Sequence, residues 1–150
     1  MGELKMKKLM LSVCMILGFA SSAFCGCIEG NCVNGHGTYE WSDGSRYTGS
    51  IREKAPDGEG TMLYADGGEY KGEMKAGERS GKGVMQFPDG KTYTGEWEYN
   101  LMNGQGIMVW LDGRKYEGEW MDGMHHGQGR LSYPDGRVKE GEWEDGDLLD

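Results

Sequence analysis

The feature that most constrains this chain is a 23-residue register running from Tyr47 to Val138 without an insertion or deletion. Its skeleton is plainest in Tyr93, Gly95, Glu96, Trp97, Gly104, Gly106, Trp110, Asp112 and Gly113. One period later stand Tyr116, Gly118, Glu119, Trp120, Gly127, Gly129, Tyr133, Asp135 and Gly136. One period earlier stand Tyr70, Gly72, Glu73, Met74, Gly81, Gly83, Phe87, Asp89 and Gly90, and before them Tyr47, Gly49, Ile51, Gly58, Gly60, Tyr64, Asp66 and Gly67. A chain patterned in this way stacks one supersecondary unit on the next, because a single unit cannot bury its own apolar face.

Inside the unit the pattern is that of strands. Tyr93, Gly95 and Trp97 alternate with Thr94, Glu96 and Glu98, the period of two that puts one face on a core and the other in water. Gly104, Gly106, Met108 and Trp110 form a second alternating run, opposed by Gln105, Ile107, Val109 and Leu111. Two short strands joined by a loop near Asn100–Asn103 read as a β-hairpin. The units are linked at Asp43-Gly44, Asp66-Gly67, Asp89-Gly90, Asp112-Gly113 and Asp135-Gly136. Asp-Gly favours a two-residue hairpin turn, since glycine takes positive φ without steric cost. Pro88 and Pro134 point instead to a type I turn closed by a left-handed glycine at those two links. Both turns reverse the chain, so the expected fold is all-β, an elongated single-layer meander of hairpins.

Glycine makes up 28 of the 150 residues, against roughly 7% in average proteins, so the strands must require it. Gly95, Gly104 and Gly106 share a face with Tyr93, Trp97 and Trp110, which leaves bare backbone on which large rings can lie. Twelve of the 16 aromatic residues fall in three columns. They are Tyr47, Tyr70, Tyr93 and Tyr116; Trp97, Trp120 and Trp143; and Trp41, Tyr64, Phe87, Trp110 and Tyr133. The expected core is a ladder of rings over a glycine floor.

The motif Tyr-x-Gly-Glu-Trp, then Gly-x-Gly, then Asp-Gly, at 23-residue spacing, resembles the MORN (membrane occupation and recognition nexus) repeat. The resemblance covers about Asn34 to Trp143 and extends to exported bacterial proteins of this kind. It implies a rod-like sheet of hairpins acting as a scaffold or interaction platform, and the family is also linked with phospholipid membranes and dimerisation. The chain departs from the pattern at Ser50, Ile51, Met74 and Lys139.

The ends lie outside this register. Lys5, Lys7 and Lys8 precede the apolar run Leu9 to Ala20 and the small residues Ser21, Ser22 and Ala23, the layout of a secretory signal. The run is too short for a membrane span of about 20 residues. The expected organisation is a signal-peptide helix at 1–23 and an N-terminal partial unit at 24–46. Four repeats follow at 47–69, 70–92, 93–115 and 116–138, then a partial repeat with an acidic tail at 139–150. Cys14 would leave with the signal. Export makes pairing of the remaining cysteines plausible, and Cys27–Cys32 is the preferred bridge. Carrying the register backwards places Phe24, Gly26 and Ile28 in the Tyr, Gly and Trp columns, so that the bridge would clamp the first sheet edge. Cleavage after Ala23 leaves Cys25 as an odd thiol, and cleavage after Cys25 removes it. Lipidation of Cys25 or Cys27 is the lesser reading.

Charge narrows the partners. The chain carries −9; Lys5, Lys7, Lys8 and Glu3 give residues 1–25 a net +2, so the remainder carries −11. That balance opposes nucleic acid and anionic lipid headgroups. His125-His126 reads as part of a surface hairpin loop in the fourth unit and not as a metal site. No nucleophile, phosphate cradle or metal cluster stands out, so no catalytic residue, cofactor or small-molecule substrate is expected. The Glu column (Glu73, Glu96, Glu119, Glu142) reads as a solvated outer face. The aspartates and glycines at 66–67, 89–90, 112–113 and 135–136 read as turn residues.

The candidate interaction face is Tyr93, Trp97, Trp110, Tyr116, Trp120 and Tyr133; the competing reading has each ring consumed by its neighbours. Together these point to an exported, non-enzymatic scaffold, periplasmic or secreted, that contacts an unidentified protein or itself. The alternative is a membrane-lipid or glycan module using the aromatic face.

Overall fold

The computed structural model describes residues 26–149. The signal segment expected at 1–23, with Cys14, and the fate of Cys25 lie outside those residues. Twelve strands form one sheet in strict chain order, each hydrogen-bonded to the next. The first three are β1 (Gly26–Gly30), β2 (Gly35–Glu40) and β3 (Arg46–Arg52). They are followed by β4 (Ala55–Leu63), β5 (Glu69–Lys75), β6 (Glu78–Gln86) and β7 (Thr92–Glu98). The last five are β8 (Leu101–Val109), β9 (Lys115–Met121), β10 (Met124–Ser132), β11 (Val138–Glu144) and β12 (Asp147–Leu148). No helix occurs among the described residues. The meander of hairpins read from the sequence is the fold.

Register explains the glycines. A cross-strand row of ten runs from Gly37 through Gly49, Gly60, Gly72, Gly83, Gly95, Gly106, Gly118 and Gly129 to Gly141. Beside it runs the row Tyr47, Met62, Tyr70, Met85, Tyr93, Met108, Tyr116 and Leu131. Each tyrosine lies flat across the glycines next to it: a Cβ added at Gly60, Gly83, Gly106 or Gly129 would stand inside the ring of Tyr47, Tyr70, Tyr93 or Tyr116. Those four tyrosines are 0% exposed, so a one-layer sheet here seals a core on one of its faces.

Two kinds of turn alternate, and their places differ from the expectation. The two-residue turns lie inside the units, at Glu53-Lys54, Ala76-Gly77, Tyr99-Asn100, Asp122-Gly123 and Asp145-Gly146, where both residues have positive φ, as type I′ requires. The loop expected near Asn100–Asn103 is therefore shorter, and β8 begins at Leu101. At all five Asp-Gly links the glycine N–H donates to the carbonyl three residues back, as Gly113 does to Trp110 at 3.0 Å. Positive φ is confined there to the glycine, +83° at Gly113. This is the type I turn with a left-handed glycine expected for Pro88 and Pro134 alone. The aspartate fixes it without proline: its Oδ1 accepts the N–H two residues on, at 2.8 to 3.2 Å across the five links.

The ends also depart from the backward and forward extension of the register. Gly26 pairs with Glu40, and Gly30, not Gly26, pairs with Gly37. Ile28 is consequently exposed, not in the Trp column, while Cys32 is buried. Cys27 and Cys32 are bridged, S–S 2.07 Å, and the tight loop they close is what the shifted pairing accommodates. At the other end the acidic tail is itself paired, since β12 joins Leu148 to Trp143 and Asp147 to Glu144 of β11.

Candidate interaction faces

The ring face is built from one repeated set of bonds. Each hairpin pairs regularly at its glycines and then slips: Gly95 faces Gly106, but Trp97 faces Met102, so Glu96 lies opposite three residues. This bulge leaves the Glu96 carbonyl off the ladder, and the buried Tyr93 hydroxyl donates to it at 3.0 Å. Tyr47, Tyr70 and Tyr116 do the same to Ser50, Glu73 and Glu119, at 2.9, 2.8 and 3.1 Å. Gly104 completes the bulge: its φ of +84° would strain any side chain, and a Cβ there would displace the Glu96 carboxylate.

The indoles tie one unit to the last. Trp97, Trp120 and Trp143 donate Nε1–H to the carbonyls of Gly83, Gly106 and Gly129, at 3.4, 3.2 and 3.0 Å. Trp97 stands edge-on between Tyr70 and Tyr93, at centroid distances of 5.5 and 5.1 Å, and Trp120 between Tyr93 and Tyr116 at 5.3 and 5.1 Å. Burial and the nearby carboxylates of Asp57 and Glu59 push the Tyr47 hydroxyl up to about 12. Burial and Glu119 push Tyr116 to about 12, and burial raises Tyr70 and Tyr93 further.

Of the six residues put forward as an interaction face, the structure brings all six to one side of the sheet but seals four. Tyr93 and Tyr116 are fully buried, Trp97 is 4% and Trp120 5% exposed. Trp110 and Tyr133 stay half-buried over the core. A cation caps this outer column in the last three units: Lys91 over Phe87, Arg114 over Trp110 and Arg137 over Tyr133, at 4.7, 5.1 and 4.6 Å. Each is ion-paired to the aspartate of its own turn.

Sequence reasoning missed a second column, formed by the cross-strand partners of the Trp column: Pro56, Arg79, Met102 and His125. These side chains form the lid of the ring core. They share no chemistry, so only their spacing of 23 could have marked them. His125 is not in a loop. It lies in β10, stacked on Tyr116 at 3.8 Å and edge-on to Trp120 and Trp143 at 4.8 and 5.2 Å. Burial pushes its pKa below the ordinary 6.5. Among the described residues no three His, Cys, Asp or Glu side chains converge on a metal position. Beside Met102 the lid leaves an open pocket of about 370 Å³.

The opposite face carries the Glu column, which is not simply solvated. Glu73 and Glu119 turn a carboxylate oxygen onto the backbone N–H of Lys82 and Gln128, at 3.0 and 3.1 Å, closing the bulge from outside. An open groove of about 880 Å³ crosses the strands here, lined by Thr48, Thr61, Lys71, Val84 and Thr94 among others. Val84, which lines it, is exposed, as are Ile107 and Val109 on β8.

Comparison with known proteins bears on the repeat alone. A family model described as MORN repeat matches residues 34–46, 47–69, 70–92, 93–113 and 116–136. No curated protein matches the chain. Among solved structures it is similar to the SAS-4 (dCPAP) TCP domain in complex with a proline-rich motif of Ana2 (dSTIL) of Drosophila melanogaster. That likeness has a TM-score of 0.46 and 12% identity over 74% of this chain, and the match spans 61% of the length of that one.

Proposed function

Since the chain belongs to the MORN-repeat family, whose units cover more than half of it, we propose that it is an exported, non-enzymatic scaffold presenting a surface for contact with another protein. The family is a non-enzymatic module for protein or membrane contact; the choice of protein is this chain's own chemistry. The observation that carries it is the outer layer of the second to fourth units. With the rings sealed beneath, Met102, Trp110 and Met124 line an open pocket on one face, and Val84, Ile107 and Val109 are exposed on the other. Apolar side chains framed by an acidic surface suit a protein partner. The net −11 outside residues 1–25 opposes anionic headgroups, which attract clustered Lys and Arg.

The basic head Lys5, Lys7 and Lys8, the apolar run to Ala20 and the Cys27–Cys32 bridge support a periplasmic or secreted location. The test is sedimentation of the full chain with anionic and with neutral vesicles. The chain is expected to stay in the supernatant at moderate salt; co-sedimentation would replace the protein-contact reading with the lipid one. Intact mass of the exported product tests the location, with loss of residues up to Ala23 or Cys25 expected and an added diacylglyceryl mass pointing to a lipoprotein.

A further inference from the structure

The lid column of the second unit holds a cation. Arg79 lies with its guanidinium carbon 4.4 Å from the Trp97 ring centroid. Its Nη2 donates to the Asn100 carbonyl at 2.9 Å and its Nη1 faces the Met85 sulfur at 3.8 Å. It makes no ion pair among the described contacts, and its buried Nε has no partner. An indole face, a turn carbonyl and a thioether are therefore enough to seat a guanidinium here, as cation–π attraction at a partly desolvated site allows.

Advancing that seat by 23 residues gives Trp120 for Trp97, Gly123 for Asn100, Met108 for Met85 and Met102 for Arg79. The backbone repeats with it: Asn100 N–H donates to Arg79 O and Gly123 N–H to Met102 O, at 3.1 and 2.9 Å. Trp120, Gly123, Met108 and Met102 all line the 370 Å³ pocket. The third unit thus keeps the walls of a guanidinium seat and replaces its occupant by an uncharged thioether. We propose that this pocket receives an arginine side chain from a basic partner protein, the external counterpart of Arg79. Resting on the protein-contact reading above, the assignment names the chemistry of that contact. The chain's net charge of −9 favours a basic partner and opposes a second copy. Lys91 also lines the pocket, its charge matched by Asp89 at 3.1 Å, and the half-buried His125, its pKa held below 6.5 by burial, adds little positive charge near pH 7.

The probe is acetyl-arginine amide, with neutral acetyl-citrulline amide as control, read from the indole N–H resonances of the full chain. Arginine amide is expected to shift Trp120 and leave Trp97 unmoved, and citrulline amide to shift neither. Met102→Arg fills the seat from within, so it should abolish the Trp120 shift and raise Tm. Arg79→Met empties the earlier seat, so it should add an arginine-dependent shift at Trp97 while circular dichroism stays that of the folded sheet. No shift at Trp120, an equal shift with citrulline, or a folded Arg79→Met chain in which Trp97 does not respond would overturn the proposal. A change of oligomeric mass on Met102→Arg would assign the seat to a second copy instead. Vesicle co-sedimentation sinks the scaffold reading whatever these titrations show, so the two failures are separable.

Discussion

A tyrosine and two glycines do most of the holding in each unit, and they are not interchangeable in cost. Tyr93→Phe removes only the hydroxyl that reaches Glu96 O at 3.0 Å, and should lower stability by about 1 kcal/mol. Gly106→Ala pushes a methyl into the Tyr93 ring and has no rotamer with which to escape; about 3 kcal/mol is expected. Urea unfolding of the two variants checks the order. The same tyrosines set an alkaline limit. Their hydroxyls ionise near 10 in the unfolded chain and near or above 12 in the sheet, so the raised value stabilises the fold fully below pH 10. That contribution is lost as pH climbs towards 12. The tyrosinate absorbance of these four should lag behind the ordinary value of 10 and then rise together with loss of the sheet signal. Titration of all eight tyrosines as free phenols, with the sheet intact, would show that the four are not sealed.

At the scale of the hairpin, the type I′ turns carry the local strain. Ala76 is held at φ +49°, where an alanine costs about 1–2 kcal/mol relative to its preferred regions. Ala76→Asn gives the Asn-Gly pair that this turn favours and should add about 0.5–1 kcal/mol. A rise in the midpoint of thermal unfolding is the readout. The hairpins themselves were legible, because alternation in Tyr93 to Glu98 admits no other element. Their turns were misplaced because Asp-Gly occurs in both classes: at Asp122-Gly123 inside a unit and at Asp112-Gly113 between units. Whether a given Asp-Gly adopts type I′ or type I with a bulge depends on the pairing of the flanking strands, which the dipeptide does not encode. His125 was misread for the same reason, since the strand starts one residue after the turn and not at Gly127.

For the whole molecule, ladder pairing joins only neighbouring strands and ring contacts reach no further than the adjacent unit, so stability is close to a sum over units and their nearest-neighbour interfaces, and damage stays local. The Cys27–Cys32 bridge closes a loop of five in sequence separation, for which loop-closure entropy gives about 2 kcal/mol. Replacing both cysteines by serine should speed amide exchange in residues 26–40 and leave 70–138 unchanged; faster exchange throughout would mean that the units do not behave independently.

The 23-residue period by itself determined the strand order, the face on which the rings lie and the need for glycine beneath them, because each follows from local alternation repeated without a slip. Only the tertiary structure decided which rings remain available. Burial of Trp97 depends on Tyr70, a full unit away, and the lid over the core comes from Pro56, Arg79, Met102 and His125, whose side chains follow no pattern of polarity. Exposure is a property of neighbours across strands, and a column of unlike residues acquires a common role only once the sheet has brought it together.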